Sequence, residues 1–258
     1  MKKCIAFLAL LAFLFVHGTC FADEIVFRGI PWGSAADYTC DELNKNGLSL
    51  YYSSVDEYSS IVATYRLRNM IAPMLYGNAS MGEQGLTTFA LAYPRDVKVA
   101  GYNLSSVMTF FVYKPHDGEL VYDDKYTAFY AGLYSFVPEN IDGMYNDLKE
   151  KLSSVYGEYS FEGNQNIIVD LFGENEFTWS SVEPKQRLTV WETAESYLCL
   201  VSNNMPDDAD PLFYSDSIVI VYATKESDTW IDEALVAQKR TNERLEKEKY
   251  GDGNIEGL

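Results

Sequence analysis

Five short runs rich in β-branched and aromatic side chains follow one another late in the chain: residues 166–172, 177–180, 188–192, 197–202 and 218–223. Most are joined by a few residues carrying turn signals, where a parallel crossover needs a dozen or more. No regular strand–helix–strand alternation asks for a parallel sheet. Upstream, residues 97–113 read as one long strand. Lys114-Pro115-His116-Asp117-Gly118 reads as a turn, and 119–122 and 126–136 read as strands. Gly132 lies inside the last of these and marks a bulge or a close backbone approach. Between the two groups Asn140 opens a helix in which Ile141, Tyr145, Leu148, Leu152 and Val155 form one stripe at helical spacing, and Gly157 stops it. The expected fold class is α+β. It comprises a meandering antiparallel sheet with one long amphipathic helix packed on a face, an N-terminal capped helix and a charged C-terminal helix.

The N-terminus reads as an export signal. Lys2 and Lys3 precede an unbroken apolar run over residues 5–16, then a polar break and Cys20-Phe21-Ala22. Twelve residues make about 18 Å of helix, short of a hydrocarbon core of about 30 Å. Cleavage is expected after Ala22, leaving no transmembrane span in the mature chain. Lipidation at Cys20 is disfavoured, because His17 stands where lipoprotein signals carry an apolar residue. The expected organisation is a signal peptide over 1–22 and a single α+β domain over 23–224, followed by a charged helical tail over 225–258. The domain divides into an N-terminal elaboration over 23–96 and a sheet-and-helix core over 97–224. Within the elaboration, Ser34 is expected to cap a helix ending near Asn46, residues 48–52 to form a strand and 56–76 a helix. The tail's apolar positions form a thin stripe, so a solvated helix is expected there.

Composition narrows the function. The chain of 258 residues carries 38 Asp+Glu against 20 Lys+Arg, a net charge of -18, and 47% hydrophobic residues. Disorder and a multi-span membrane protein are ruled out. Nucleic acid is not an expected partner, because an acidic surface repels phosphates. Beyond His17 in the leader the one histidine is His116, in a turn, so multi-histidine metal sites and the common Ser-His-Asp arrangement have no support. No phosphate-binding glycine loop occurs, and no cofactor is called for. The 38 acids offer many carboxylate pairs, which leaves a histidine-independent hydrolase acting on glycans as the alternative function. A loop of Asn and Asp over 203–210 is a weak calcium candidate, through Asp207, Asp208 and Asp210.

Tyrosine, at 20 copies, is the unusual residue. Tyr126, Tyr130 and Tyr134 share parity and are expected to line one strand face, either as a platform for a ligand or as sheet packing. Cys40 and Cys199 outlast the leader and allow one intramolecular pairing. An oxidising compartment favours a Cys40–Cys199 disulfide, with two buried thiols as the alternative.

Phe27-Arg28-Gly29-Ile30-Pro31-Trp32-Gly33-Ser34 resembles a motif that opens small exported bacterial proteins of unknown function directly after the signal peptide. The helix ending Val155-Tyr156-Gly157, Trp179, and Ile218-Val219-Ile220-Val221-Tyr222 are also similar to that group. The resemblance implies export, to the periplasm or beyond the cell, and a fold; it adds no catalytic residue. In the motif Arg28 can donate to carboxylates and Trp32 can plug the core, which makes both candidate binding residues. The expectation is an exported, non-enzymatic protein that binds a protein or another cell-envelope component.

Overall fold

The computed structural model describes residues 25–48, 51–53, 86–164, 185–204 and 216–250. Twelve strands and three α-helices are found among them. Eight strands form one antiparallel sheet in the order β1 (Tyr51–Ser53), β2 (Thr87–Ala92), β5 (Ser106–Tyr113), β8 (Thr127–Phe136), β12 (Ser217–Thr224), β11 (Ser196–Asn204), β10 (Lys185–Glu192), β9 (Phe161–Asn164). After β8 the chain passes through helix α2 (Ile141–Tyr156) to the far edge. It then meanders back through β9, β10 and β11 until β12 pairs with β8. The fold is therefore α+β, with the antiparallel sheet expected from the short connections.

Helix α2 follows its sequence signals. The Asn140 side chain accepts from the Gly143 N–H at 3.0 Å, and Gly157 ends the helix at φ +85°. Tyr145, Leu148 and Leu152 are buried against β11 and β12, on the spacing the stripe predicted, whereas Val155, its last member, is exposed at the end of the helix.

Residues 97–113 do not form one strand. Ala100 (φ +52°) and Gly101 (φ +93°) turn the chain back between β3 (Lys98–Val99) and β4 (Tyr102–Asn103), a two-residue turn with both central residues left-handed. Asp117 (φ +53°) and Gly118 (φ +83°) do the same between β6 (Pro115–His116) and β7 (Glu119–Leu120). The runs 166–172 and 177–180 and the helix over 56–76 lie outside the described residues.

The sheet is covered on both faces. One face packs Phe89, Met108, Phe110, Val112 and Tyr130 with Trp230, Ile231, Ala234 and Ala237 of α3 (Ser227–Tyr250). The first half of α3 is thus part of the core, and the solvated tail expected there begins only further along. The thin stripe expected over Ile231, Leu235, Gln238, Asn242 and Leu245 contains Ile231, which is buried, but misses Trp230, Ala234 and Ala237, which are buried beside it. The opposite face packs Ile25, Phe27 and Ile30, then Leu43 of α1 (Ala36–Lys45), then α2. Among the described residues no helix is long and apolar enough to cross a membrane.

Candidate functional site

The opening motif folds into a corner on the α2 side of the sheet. Phe27 and Ile30 form a bridge, with the Ile30 N–H donating to the Phe27 carbonyl at 3.1 Å. Between them Arg28 (φ +54°) and Gly29 (φ +71°) are both left-handed, the geometry of a two-residue hairpin turn. Gly29 suits that region. Arg28 does not, and a left-handed non-glycine residue costs about 1–2 kcal/mol.

The Phe27 ring lies on the backbone of Gly132, 4.8 Å from the ring centroid of Tyr134 and 5.6 Å from that of Tyr222. Gly132 is the close backbone approach that a glycine inside a strand signals. Beyond the turn, the Gly33 N–H donates to the Phe129 carbonyl at 2.9 Å and the Phe129 N–H donates to the Ser34 carbonyl at 2.8 Å. Strand β12 stops pairing with β8 at Ala131, so residues 33–34 satisfy the next stretch of β8.

Trp32 stacks on Phe129, with ring centroids 5.1 Å apart, and donates through Nε1 to Ser196 Oγ at 3.0 Å. Its polar handle is spent inside the protein, so it fastens the corner to β11 and does not face a ligand. Ser34 is not the cap of α1. Its hydroxyl donates to the Pro31 carbonyl, and the helix is capped from a distance: the Ala36 N–H donates to Thr127 Oγ1 at 2.8 Å.

The turn aims the Arg28 side chain at a tyrosine cluster. Arg28 Nε donates to Tyr134 Oη at 2.8 Å. Tyr134 and Tyr222 meet edge-on at 5.9 Å, and the Tyr222 hydroxyl is hydrogen-bonded to Tyr156, the last residue of α2. Burial pushes the Tyr134 phenol up to about 12 although Arg28 beside it favours the phenolate, and burial raises Tyr222 well above the ordinary tyrosine range. These phenols stay neutral at physiological pH. Among the described residues the corner therefore offers hydrogen-bond donors and one permanent positive charge, and none of them is poised as a base or nucleophile. Its chemistry is recognition of an acceptor or an anion.

The expected tyrosine platform does not form. In the β5–β8 pairing Phe110 opposes Ala131 but Phe111 opposes Phe129, so Tyr130 is an extra residue in a bulge. The bulge resets the alternation of the strand. Tyr130 is buried on the α3 face, Tyr134 on the α2 face, and Tyr126 stands at the entry to β8 with His116 stacked on it at 4.3 Å. Of the five candidates, the structure brings together Arg28, Trp32 and Tyr134. It adds Tyr156 and Tyr222, which stand in the later segments of the sequence resemblance and which strand parity alone does not single out.

The Cys40–Cys199 disulfide is also overturned. Both cysteines are free, and they lie on opposite sides of the sheet: Cys199 packs in the core beneath α3, Cys40 on α1 against the other face. Burial pushes both thiols up to about 12, reinforced at Cys40 by Asp124, Asp41 and Asp37. Cys199 is a core thiol and Cys40 a half-buried one, and neither is poised as a thiolate.

Asp207, Asp208 and Asp210 lie outside the described residues. Among the described residues no group of three His, Cys, Asp or Glu could hold a metal ion. Asp228 is the one described carboxyl raised above its ordinary range, by burial and then by Asp232. The two sit one turn apart at the start of α3, so they do not face each other across a cleft as a glycosidase pair does. No family model matches the chain, and neither the curated proteins nor the solved structures contain a match.

Proposed function

We propose that this is an exported, non-enzymatic protein that binds a protein or another component of the cell envelope, and that the Arg28 corner is its contact. The export part is supported by the Lys-Lys-led apolar run and Ala22. The binding part is supported above all by one observation. Arg28 is held half-buried in a left-handed conformation that glycine would adopt without strain, and its guanidinium meets a neutral phenol where a carboxylate partner would be ordinary. Left-handed backbone of this kind also serves ordinary hairpin turns at Ala100 and Asp117, so the neutral partner of the guanidinium, together with the strain, is what supports the reading.

The test is a photo-crosslinking residue at Val155, which is exposed beside Tyr156, in living cells. A discrete crosslinked species that disappears in Arg28→Gly is expected. Equal crosslinking from the remote, exposed Glu243, or an unchanged species in Arg28→Gly, contradicts the reading.

A further inference from the structure

We infer that the Arg28 corner receives a single carboxylate of a peptide, from a chain end or an acidic side chain; the inference rests on the corner being the contact. Of the four other described arginines, two are held in ion pairs. Arg187 pairs with Asp142 at 2.9 Å, and Arg244 grips Glu119 at 2.6 and 3.0 Å while also holding Glu248. Arg28, like Arg95 and Arg240, enters no ion pair among the described residues, although the chain carries 38 acids. Tyr134 occupies its Nε and fixes the plane of the guanidinium, and among the described residues the two terminal amines make no ion pair. That pair of parallel donors matches the two oxygens of a carboxylate.

Charge selects among anions. A polyanion approaching a chain of net charge -18 meets repulsion along its whole length. A single carboxylate on an otherwise neutral segment feels that repulsion only weakly, because charges beyond a screening length of about 8 Å matter little at physiological salt. Tyr156, half-buried at the end of α2 beside Tyr222, supplies a ring face for the neighbouring peptide atoms.

The experiment presents three randomised tetrapeptide pools to the immobilised protein. The first has free C-termini and lacks Asp and Glu; the second is amidated and contains one Glu; the third is amidated with no acid. Retention of the first pool, the second or both over the third is expected, and the two arms tell a chain end from a side chain. Arg28→Gly should lower that retention about tenfold or more. Tyr156→Ala, which removes the ring, should lower it severalfold. Equal retention of all three pools, retention of none, or undiminished retention by Arg28→Gly overturns the inference. If no pool is retained while the Val155 crosslink still depends on Arg28, the carboxylate assignment fails and the binding reading stands.

Discussion

The ring of Phe27 rests on the bare backbone of Gly132: a Cβ placed there would lie 2.6 Å from Cδ1 of Phe27. Two residues 105 positions apart thus form one joint, a large ring filling the gap that a missing side chain leaves in the middle of β8. This joint fixes the height of the 27–30 turn above the sheet, and through it the position of Arg28.

Gly132→Ala should therefore destabilise the protein by about 1–3 kcal/mol or more, by overpacking. Phe27→Ala should cost about 3–5 kcal/mol. The double variant should cost less than the two singles added together, because removing the ring makes room for the methyl group. Urea unfolding of the four proteins measures the coupling, and strict additivity would show that the two residues are not in contact.

Removing the hydroxyl at Thr127 should cost about 0.5–2 kcal/mol, the range for loss of an N-cap. Thr127→Val keeps the shape and removes the acceptor that meets the Ala36 N–H. Ser34→Ala should change little, because Ser34 donates to Pro31 and caps nothing. Thermal melts of the two variants distinguish the remote cap from the local one.

Reductant should leave the melting temperature unchanged, since Cys40 and Cys199 are free. Thiol reagents at pH 8 should label the native protein slowly and the unfolded protein fully. Both thiols are held at about 12 in the fold against 9.0 for an ordinary thiol. Between those values the unfolded chain sheds its protons while the folded chain keeps them. Stability from the buried thiols is therefore complete below pH 9 and falls as pH rises toward 12. Tyr134 and Tyr145, raised from 10.0 to about 12, add to the same loss. Melting curves from pH 8 to 11 should show a decline that steepens above pH 9.

Much of the fold can be read from the chain because its signals are local. The stripe from Ile141 to Leu152, with Asn140 before it and Gly157 after it, dictates α2, and the close spacing of β10 and β11 dictates their antiparallel pairing. What cannot be read depends on register. Strand parity put Tyr130 and Tyr134 on one face, and the bulge, which only the β5 partner reveals, put them on two. The pair Ala100-Gly101 reads as strand interior because alanine gives no warning of a left-handed turn. The cap of α1 comes from Thr127, 91 residues away, which no local pattern predicts. Arg28 could be marked from the motif as a donor to carboxylates. Its tyrosine partners come from β8, α2 and β12, and only the folded sheet assembles them.

The central claim is that Arg28 is kept for what it presents and not for what it holds together, and the melting temperature of Arg28→Gly tests it most directly. Glycine relieves a left-handed strain of about 1–2 kcal/mol and forfeits one hydrogen bond to Tyr134 worth about 0.5–1.5 kcal/mol. The added freedom of the unfolded chain costs a further 0.4–1 kcal/mol or so. These terms nearly cancel, so the account predicts a melting temperature within about 4 °C of the parent, with capture through Val155 abolished. A fall of about 8 °C or more, with the crosslink intact in the protein that remains folded, would make Arg28 a structural residue and contradict the account.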